Sequence, residues 1–187
     1  MNMLDEIKRS IQAFETVLDE IPEIRYAGDP VLRQVTNLTT LKEGMEIGGK
    51  MKNVLLKYRN ITGWGRGFAA PQIGEDKSVF ITFVDDQVEV FINPNITEKS
   101  DKTNFYKELC MSVGVMSADV ERPDWIVMEW MDEKGSTRSE KFDGFKARLY
   151  QHEVAHLRGR LNLDDASPGG IEYAIFDPLK EKLRDTR

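Results

Sequence analysis

The sequence of 187 residues is poor in cysteine and histidine and contains no long apolar run. Its single cysteine, Cys110, cannot form a disulfide within the chain, which fits a reducing compartment. No stretch approaches the ~20 apolar residues that a transmembrane helix needs, and the charged N-terminus lacks the apolar core of an export signal. We therefore expect a protein of the cytoplasm, or of the interior of an organelle, that does not bind a membrane.

The sequence also has fewer positively charged than negatively charged residues. The chain has 26 lysines and arginines against 32 aspartates and glutamates, a formal net charge of −6. Because sequence-independent binding to nucleic acid rests on neutralising phosphates, we expect no direct nucleic-acid binding. Hydrophobic residues make up 40% of the chain, which is enough for a core and excludes a disordered protein.

The length is typical of one domain, and we expect a monomer with a single domain over residues 1–187. Within it we distinguish an N-terminal helical extension over residues 1–22, a core over residues 23–165 and a C-terminal tail over residues 166–187. Strand-like and helix-like segments are segregated along the chain, which favours an α+β fold.

Three helices are predicted. Apolar residues recur at intervals of three and four over residues 3–20. A second helix begins after Thr40, where a capping box is present, although Gly48 and Gly49 weaken it. A third helix covers residues 145–158.

Two β-hairpins are predicted, over residues 78–92 and 125–142, because β-rich runs flank short polar turns there. Near the C-terminus, Asp177 and Pro178 have the form of a helix cap and first helical residue, so a short helix is expected after them.

The strongest chemical signal is the HEVAH sequence of residues 152–156. On a helix, His152 and His156 share one face, one turn apart, so both imidazoles can reach one metal ion. Glu153 lies next to that face and can take a proton from water. These are the only histidines in the chain, and a pair of merely structural histidines is the weaker interpretation.

Two histidines do not complete a catalytic metal site, which usually has three protein ligands. The third ligand is either Cys110 or a downstream carboxylate, for which Asp164, Asp165 and Glu172 are the candidates. Taken alone, Cys110 fits a small buried hydrophobic residue at least as well as a ligand.

Residues 65–74, GRGFAAPQIG, form a third candidate element. Glycine and alanine let the backbone of a ligand approach closely, although a tight turn explains the glycines equally well. Gln72 can donate an amide hydrogen bond to a carbonyl group under attack.

Three segments, GRGFAAPQIG, ELCMS and QHEVAHLRG, therefore stand in this order. Together they resemble the motifs GxGLAAxQ, EGCxS and HExDH of the peptide deformylase family, and the likeness extends from Asp29 to Asp164. The resemblance implies an α+β fold in which a central HExxH helix is surrounded by short antiparallel sheets, here with an extra N-terminal helix. It also implies removal of the formyl group from the N-terminal formyl-methionine of a peptide or nascent chain, close to the ribosome.

The resemblance implies a role for each matching residue. The metal ligands are Cys110, His152 and His156, and the ion is one Fe²⁺ per chain, replaceable by Zn²⁺, Ni²⁺ or Co²⁺. Glu153 is the general base and then the general acid. The oxyanion is held by the Gln72 side chain and the Met111 backbone N–H, and the Gly67 backbone binds the peptide.

The chain departs from the family motifs at five positions. The departures are Arg66 between the motif glycines, Phe68 for leucine, Leu109 for glycine, Arg148 one turn before His152, and Ala155 for aspartate. We expect Leu109 either to narrow the cleft or to change the freedom of the backbone. The missing carboxylate at position 155 is expected either to loosen the helix or to leave a nearby arginine, Arg122, unpaired.

The two arginines bear on the substrate. If Arg66 points into the pocket for the first side chain of the substrate, the enzyme prefers substrates whose first residue is acidic or forms hydrogen bonds. Arg148 then adds to this preference. In the alternative, Arg66 is solvated and only its aliphatic stem lines the pocket.

Three alternatives remain open at the sequence level. They are an HExxH metallopeptidase, a deformylase that acts on another N-formyl substrate, and a catalytically inert binding module with this fold. Metal loss on replacing Cys110 would speak against the peptidase.

Overall fold

The computed structural model describes residues 2–176, 178 and 180–186 and has the expected α+β architecture. The helices are α1 (Met3–Glu20), α2 (Leu41–Thr62) and α3 (Gly144–Leu157). The strands are β1 (Gly67–Ala69), β2 (Val79–Val84), β3 (Gln87–Lys99), β4 (Thr103–Leu109), β5 (Met116–Pro123), β6 (Trp125–Met131), β7 (Thr137–Asp143) and β8 (Ala166–Tyr173). No helix formed by these described residues combines the length and the apolar character needed to cross a membrane.

The strands form two antiparallel sheets. The larger sheet has the order β1-β2-β3-β6-β7, and the smaller has the order β4-β5-β8. Strand β1 pairs with β2 and has no other strand beside it, so it is an edge strand of the larger sheet.

The larger sheet is covered by a helix on each face because apolar residues occupy both sides of its strands. Val79 and Ile81 pack in the core that contains Met51 of α2, whereas Phe80 packs in the core that contains Tyr150 of α3. Alternation along strand β2 explains this division, since neighbouring side chains point to opposite faces. Helix α3 also contacts β5 of the smaller sheet and therefore lies between the sheets.

The helices predicted over residues 3–20, after Thr40 and over residues 145–158 are confirmed, as is the hairpin over residues 125–142. The hairpin predicted over residues 78–92 is present as β2 and β3, but β3 continues to Lys99. Helix α2 starts where expected, with the Thr40 hydroxyl accepting from the Glu43 amide, and continues through Gly48 and Gly49. Close packing requires two of its glycines. A Cβ at Gly44 would lie 2.8 Å from Ile92 Cδ1, and one at Gly48 would lie 3.0 Å from Val90 Cγ1.

The smaller sheet was not predicted from the sequence. Strands β4 and β5 pair over the whole of β4, and β8 joins β5 from the other side. Asp177, on which the predicted C-terminal helix depends, lies outside the described residues; further on, Arg184 forms an isolated β-bridge with Phe105.

Two glycines of α2 provide a matched test of this packing. We expect Gly49→Ala to raise the free energy of unfolding by about 0.5–1 kcal/mol, because alanine is the better helix former and a Cβ there meets nothing within 4 Å. Gly44→Ala should lower it by about 1–3 kcal/mol through overpacking against Ile92. Urea unfolding of both variants measures the difference, and equal stabilities would contradict the packing of α2 on β3.

Candidate active site

Helix α3 carries both histidines into the space between the two sheets. His152 and His156 are 8% and 1% exposed, and their Nε2 atoms lie 3.1 Å apart. Their separation of one helical turn puts both rings on the same face.

Cys110 completes a group of three potential ligands. It follows the end of β4, and its Sγ lies 3.3 Å from His156 Nε2. The three ligand atoms lie within 4.8 Å of one another, and no other group of three such side chains exists among the described residues. The carboxylates considered as alternatives pair elsewhere: Asp164 with Arg33, Asp165 with Arg122 and Arg160, and Glu172 with Lys107.

The outer nitrogens of both rings are engaged. His152 Nδ1 lies 2.9 Å from Glu108 Oε2, and His156 Nδ1 lies 3.0 Å from the Arg160 carbonyl oxygen. With Nδ1–H donated to these acceptors, the Nε2 lone pairs of two neutral rings converge beside the thiol. Such a group of donors repels itself unless a cation lies between them, so the residues fit a divalent metal ion.

The surroundings shift the pKa values of the two rings in opposite directions. Burial lowers the pKa of His152, but hydrogen bonds to Cys110 and Glu108 and the charge of Glu108 outweigh it and raise the pKa well above its usual value. Burial and the charge on His152 together lower the pKa of His156.

Glu108 is the centre of a buried charge network. Its carboxylate is 3% exposed and accepts from Arg122 Nε and Nη2 at 2.7 and 2.8 Å and from Arg148 Nη1 at 3.1 Å, in addition to His152. Burial alone would raise the pKa of Glu108, but the charge and hydrogen bonds of Arg122 and the contact with His152 hold it well below its usual value.

The expectation that Ala155 leaves Arg122 unpaired is wrong. Glu108 binds the Arg122 guanidinium through two nitrogens, and Asp165 Oδ2 lies 3.2 Å from Nη1. Two carboxylates from other parts of the chain therefore compensate for the one missing at position 155.

Arg148 points into the protein rather than into open solvent. It is 3% exposed, and its two terminal nitrogens donate to Glu108, to the Val120 carbonyl and to Asn104. Part of the side chain still lines the cleft in front of the histidines.

Glu153 lies beside the histidines and against β1. It is 2% exposed, and its Oε2 has no hydrogen-bond partner among the described residues. A Cβ at Gly67 would lie 2.7 Å from Glu153 Cδ and 2.9 Å from Leu149 Cδ1, so a glycine is required at this position. Burial raises the pKa of Glu153 to about 7, which suits a group that both takes and gives a proton near neutral pH.

Two amide donors border the same space. Gln72 Oε1 accepts from the Ala69 amide at 2.9 Å, which turns Gln72 Nε2 toward Cys110 Sγ at 3.4 Å and Ser112 Oγ at 3.0 Å. The Met111 amide is the first N–H of a short 3₁₀ turn and has no acceptor within that turn.

The free edge of β1 borders the cleft. The Phe83 amide donates to the Arg66 carbonyl across the β1–β2 pair, and the Ala69 amide points the other way, to Gln72. Because hydrogen-bond direction alternates along a strand, the N–H and C=O of Gly67 also point to the free edge.

A cavity of about 100 Å³ is lined by two of the three potential ligands, Cys110 and His152. Phe68 is not part of it, because its side chain packs in the core beneath α2. The Arg66 guanidinium lies over the Phe145 ring, with Cζ 4.4 Å from its centre, and pairs with no carboxylate among the described residues. The walls also include Tyr58, Trp64, Tyr106, Leu109, Met111 and Leu149.

The sequence motifs do not identify the residues that form hydrogen bonds around the potential metal ligands. Glu108 belongs to one motif, but the motif assigns it no role, and no motif points to Asn104, Ser112 or Asp165 as hydrogen-bond partners. The one signal in the sequence is that Glu108 stands two residues before Cys110 at the end of a strand-like segment. This signal does not show which cations surround Glu108 in the fold.

The chain is similar to known proteins over most of its length. The profile of the family described as Polypeptide deformylase matches residues 21–170. The chain is 35% identical over 167 residues to the peptide deformylase of Pseudothermotoga lettingae, covering 89% of this chain and 95% of that protein. It is 38% identical over 152 residues to that of Dictyoglomus thermophilum, covering 78% and 93%. The crystal structure of peptide deformylase from Thermotoga maritima superposes with a TM-score of 0.69 at 32% identity, covering 78% of this chain and 97% of that one.

The Glu108 network leads to a pH-dependent stability prediction. We expect Glu108→Gln to lower the free energy of unfolding at pH 7 by about 3–5 kcal/mol. The substitution removes the carboxylate that pairs with Arg148 and one of the two carboxylates that pair with Arg122. The folded pKa of Glu108 lies below its usual 4.5, so its stabilising contribution is complete above that pH. The contribution disappears as the pH falls through the folded value, and the difference between variant and native chain should shrink accordingly.

Urea unfolding of the metal-free protein between pH 3 and 7 provides the measurement. Glu172→Gln is the matched control, because Glu172 pairs with Lys107 at the surface, where its side chain is 50% exposed, and should cost at most about 1 kcal/mol. Equal losses in the two variants at pH 7 would show that Glu108 does not hold the site together.

Proposed function

The chain belongs to the polypeptide deformylase family and hydrolyses the formyl amide at the N-terminus of peptides, and we propose that the residues around Glu153 divide the steps of this reaction. The observation that carries the proposal is the convergence of Cys110, His152 and His156 beside the buried Glu153 carboxylate, whose Oε2 has no hydrogen-bond partner among the described residues.

The family is metal-dependent, and the three ligands have a suitable donor set. We propose that Cys110, His152 and His156 hold one Fe²⁺ ion and that Zn²⁺, Ni²⁺ or Co²⁺ can replace it, because thiolate and imidazole ligands suit these ions. When bound, the ion supplies a Lewis acid that increases the acidity of water. Glu108 and the Arg160 carbonyl orient the two rings through their Nδ1 atoms.

Glu153 moves the proton. In its ionised form, it takes a proton from the attacking water, whose oxygen forms a bond to the formyl carbon. It then gives the proton to the departing amine as the C–N bond breaks, which releases formate and a free N-terminus. Its elevated pKa and its uncommitted Oε2 support both steps.

The Gln72 amide and the Met111 backbone N–H stabilise the oxyanion that forms on the formyl oxygen. Gln72 is fixed by the Ala69 amide, so its Nε2 approaches the reacting group without reorientation. Losing one such donor typically costs ~10²–10³ in rate.

The peptide binds as an added strand along β1. The N–H and C=O of Gly67 at the free edge are available for its backbone. Leu109, on the opposite wall, narrows the cleft around the peptide. Formylated nascent chains are the natural source of such peptides, and we propose that the protein acts on them as a monomer in the cytoplasm, close to the ribosome.

An endopeptidase is the second candidate from the sequence. It requires a downstream carboxylate ligand, and the pairing of Asp164, Asp165 and Glu172 with arginine and lysine side chains speaks against it.

The central test is formate release from formyl-Met-Ala-Ser by Fe²⁺-loaded protein prepared anaerobically. We expect Glu153→Gln to keep its metal and lose roughly 10²–10⁴ in kcat, because it lacks the general base. Cys110→Ser should lose metal affinity instead. Elemental analysis distinguishes the two defects, and near-normal kcat in Glu153→Gln would remove Glu153 from this role.

Arg66 extends the range of first side chains that the pocket accepts. Its guanidinium cannot lose its charge, pairs with no described carboxylate and lies over Phe145 in the cleft wall. We therefore propose that an acidic or hydrogen-bonding first residue gains a charge-assisted contact with Arg66, while the stem of Arg148 contributes to the same wall.

Comparing kcat/KM for formyl-Glu-Ala and formyl-Met-Ala tests this role. Arg66→Val should lower the ratio of the acidic to the methionine substrate by about tenfold or more, because a charge-assisted hydrogen bond contributes about 1.5–3 kcal/mol. Lys52→Val, which removes a cation from the exposed face of α2, should leave the ratio unchanged. An unchanged ratio in Arg66→Val would make Arg66 a solvated surface residue.

A further inference from the structure

Helix α1 has no role in the chemistry described so far. We propose that it forms one wall of a second subsite, which binds an apolar side chain at the third or fourth residue of the formylated peptide. The inference rests on the proposed function, because it requires the peptide to lie along β1.

The direction of the peptide follows from the ends of β1. Gln72 lies just beyond the C-terminal end of β1, and its side chain contacts Cys110. The formyl group must lie beside Cys110, and therefore at this end of β1. A peptide added to the free edge with its formyl end toward Gln72 therefore runs antiparallel to β1. Its later residues pass Arg66 and then Trp64.

A second cavity begins where such a peptide leaves the first. It measures about 190 Å³ and shares four wall residues, Tyr58, Trp64, Leu109 and Pro178, with the cleft that contains the potential metal ligands. Helix α1 lines it with Arg9, Ser10, Ala13, Phe14 and Val17, of which the last three are apolar. The two cavities therefore adjoin each other at their shared wall residues.

The walls of this second cavity suit an apolar side chain. Phe14 packs edge-on to Tyr26 with ring centres 5.5 Å apart, and Trp64 packs edge-on to Tyr58 at 5.3 Å. Gly114 leaves room for the Phe14 ring, since a Cβ there would lie 3.0 Å from Phe14 Cζ. These contacts fix the aromatic walls before a ligand binds, which reduces the ordering that binding requires.

Helix α1 also lies outside the part of the chain that matches the family profile, which starts at residue 21. The catalytic residues all lie within the matched part. A subsite walled by α1 therefore changes which peptides bind well and leaves the reaction at the formyl group unchanged.

The test is a series of formyl-peptides with one variable side chain. The native chain should process formyl-Met-Ala-Leu-Ala or formyl-Met-Ala-Ala-Leu with about tenfold higher kcat/KM than formyl-Met-Ala-Ala-Ala, mainly through KM, because filling an apolar pocket by even one methylene changes discrimination about tenfold or more. Ala13→Trp fills the cavity and should abolish this gain while leaving formyl-Met-Ala turnover unchanged.

Gln12→Trp is the matched control, because Gln12 lies on the exposed side of the same helix and should retain the gain. Thermal unfolding and Ala13→Leu, which fills the cavity less drastically, separate a blocked subsite from a misfolded helix. Equal kcat/KM for the leucine and alanine peptides in the native chain, or a gain that survives in a folded Ala13→Trp, overturns the subsite alone. Absence of turnover with every formyl-peptide overturns the proposed function as well.

Discussion

The buried carboxylate of Glu108 joins strand β4 to strand β5 and helix α3, and the geometry of the site depends on it. It accepts from Arg122 on β5 and from Arg148 and His152 on α3. A buried carboxylate persists only when cations and hydrogen-bond donors surround it. The same contacts therefore hold the smaller sheet against α3 and fix the orientation of the His152 imidazole, a potential metal ligand.

This network also explains how the chain tolerates alanine at position 155. The guanidinium of Arg122 needs carboxylate partners because it is buried. Glu108 and Asp165 meet that need from outside the helix. The positive charge of Arg122 is thus compensated by residues outside α3.

The edge strand β1 gives the cleft its direction. Glu153 approaches its backbone so closely that only glycine fits at position 67, and Gln72 beyond its end faces the thiol of Cys110. The opposite end of β1 leads past Trp64 to α1. One short strand therefore links the end of the cleft at Cys110, the free edge of the larger sheet and the N-terminal helix.

The sequence by itself determined the three helices, the two hairpins and the pair of His152 and His156, because helical periodicity, strand alternation and the spacing within HEVAH are local properties. It left the third ligand open between Cys110 and a downstream carboxylate, and only the resemblance to the deformylase motifs favoured Cys110. The sequence could not determine the smaller sheet, whose strands β5 and β8 are far apart in the chain, or the partners of Arg122 and Arg148. Whether a buried charge is compensated depends on residues that meet only when the sheets close around α3. For the same reason, only the tertiary structure decided that α1 lies beside the end of the cleft.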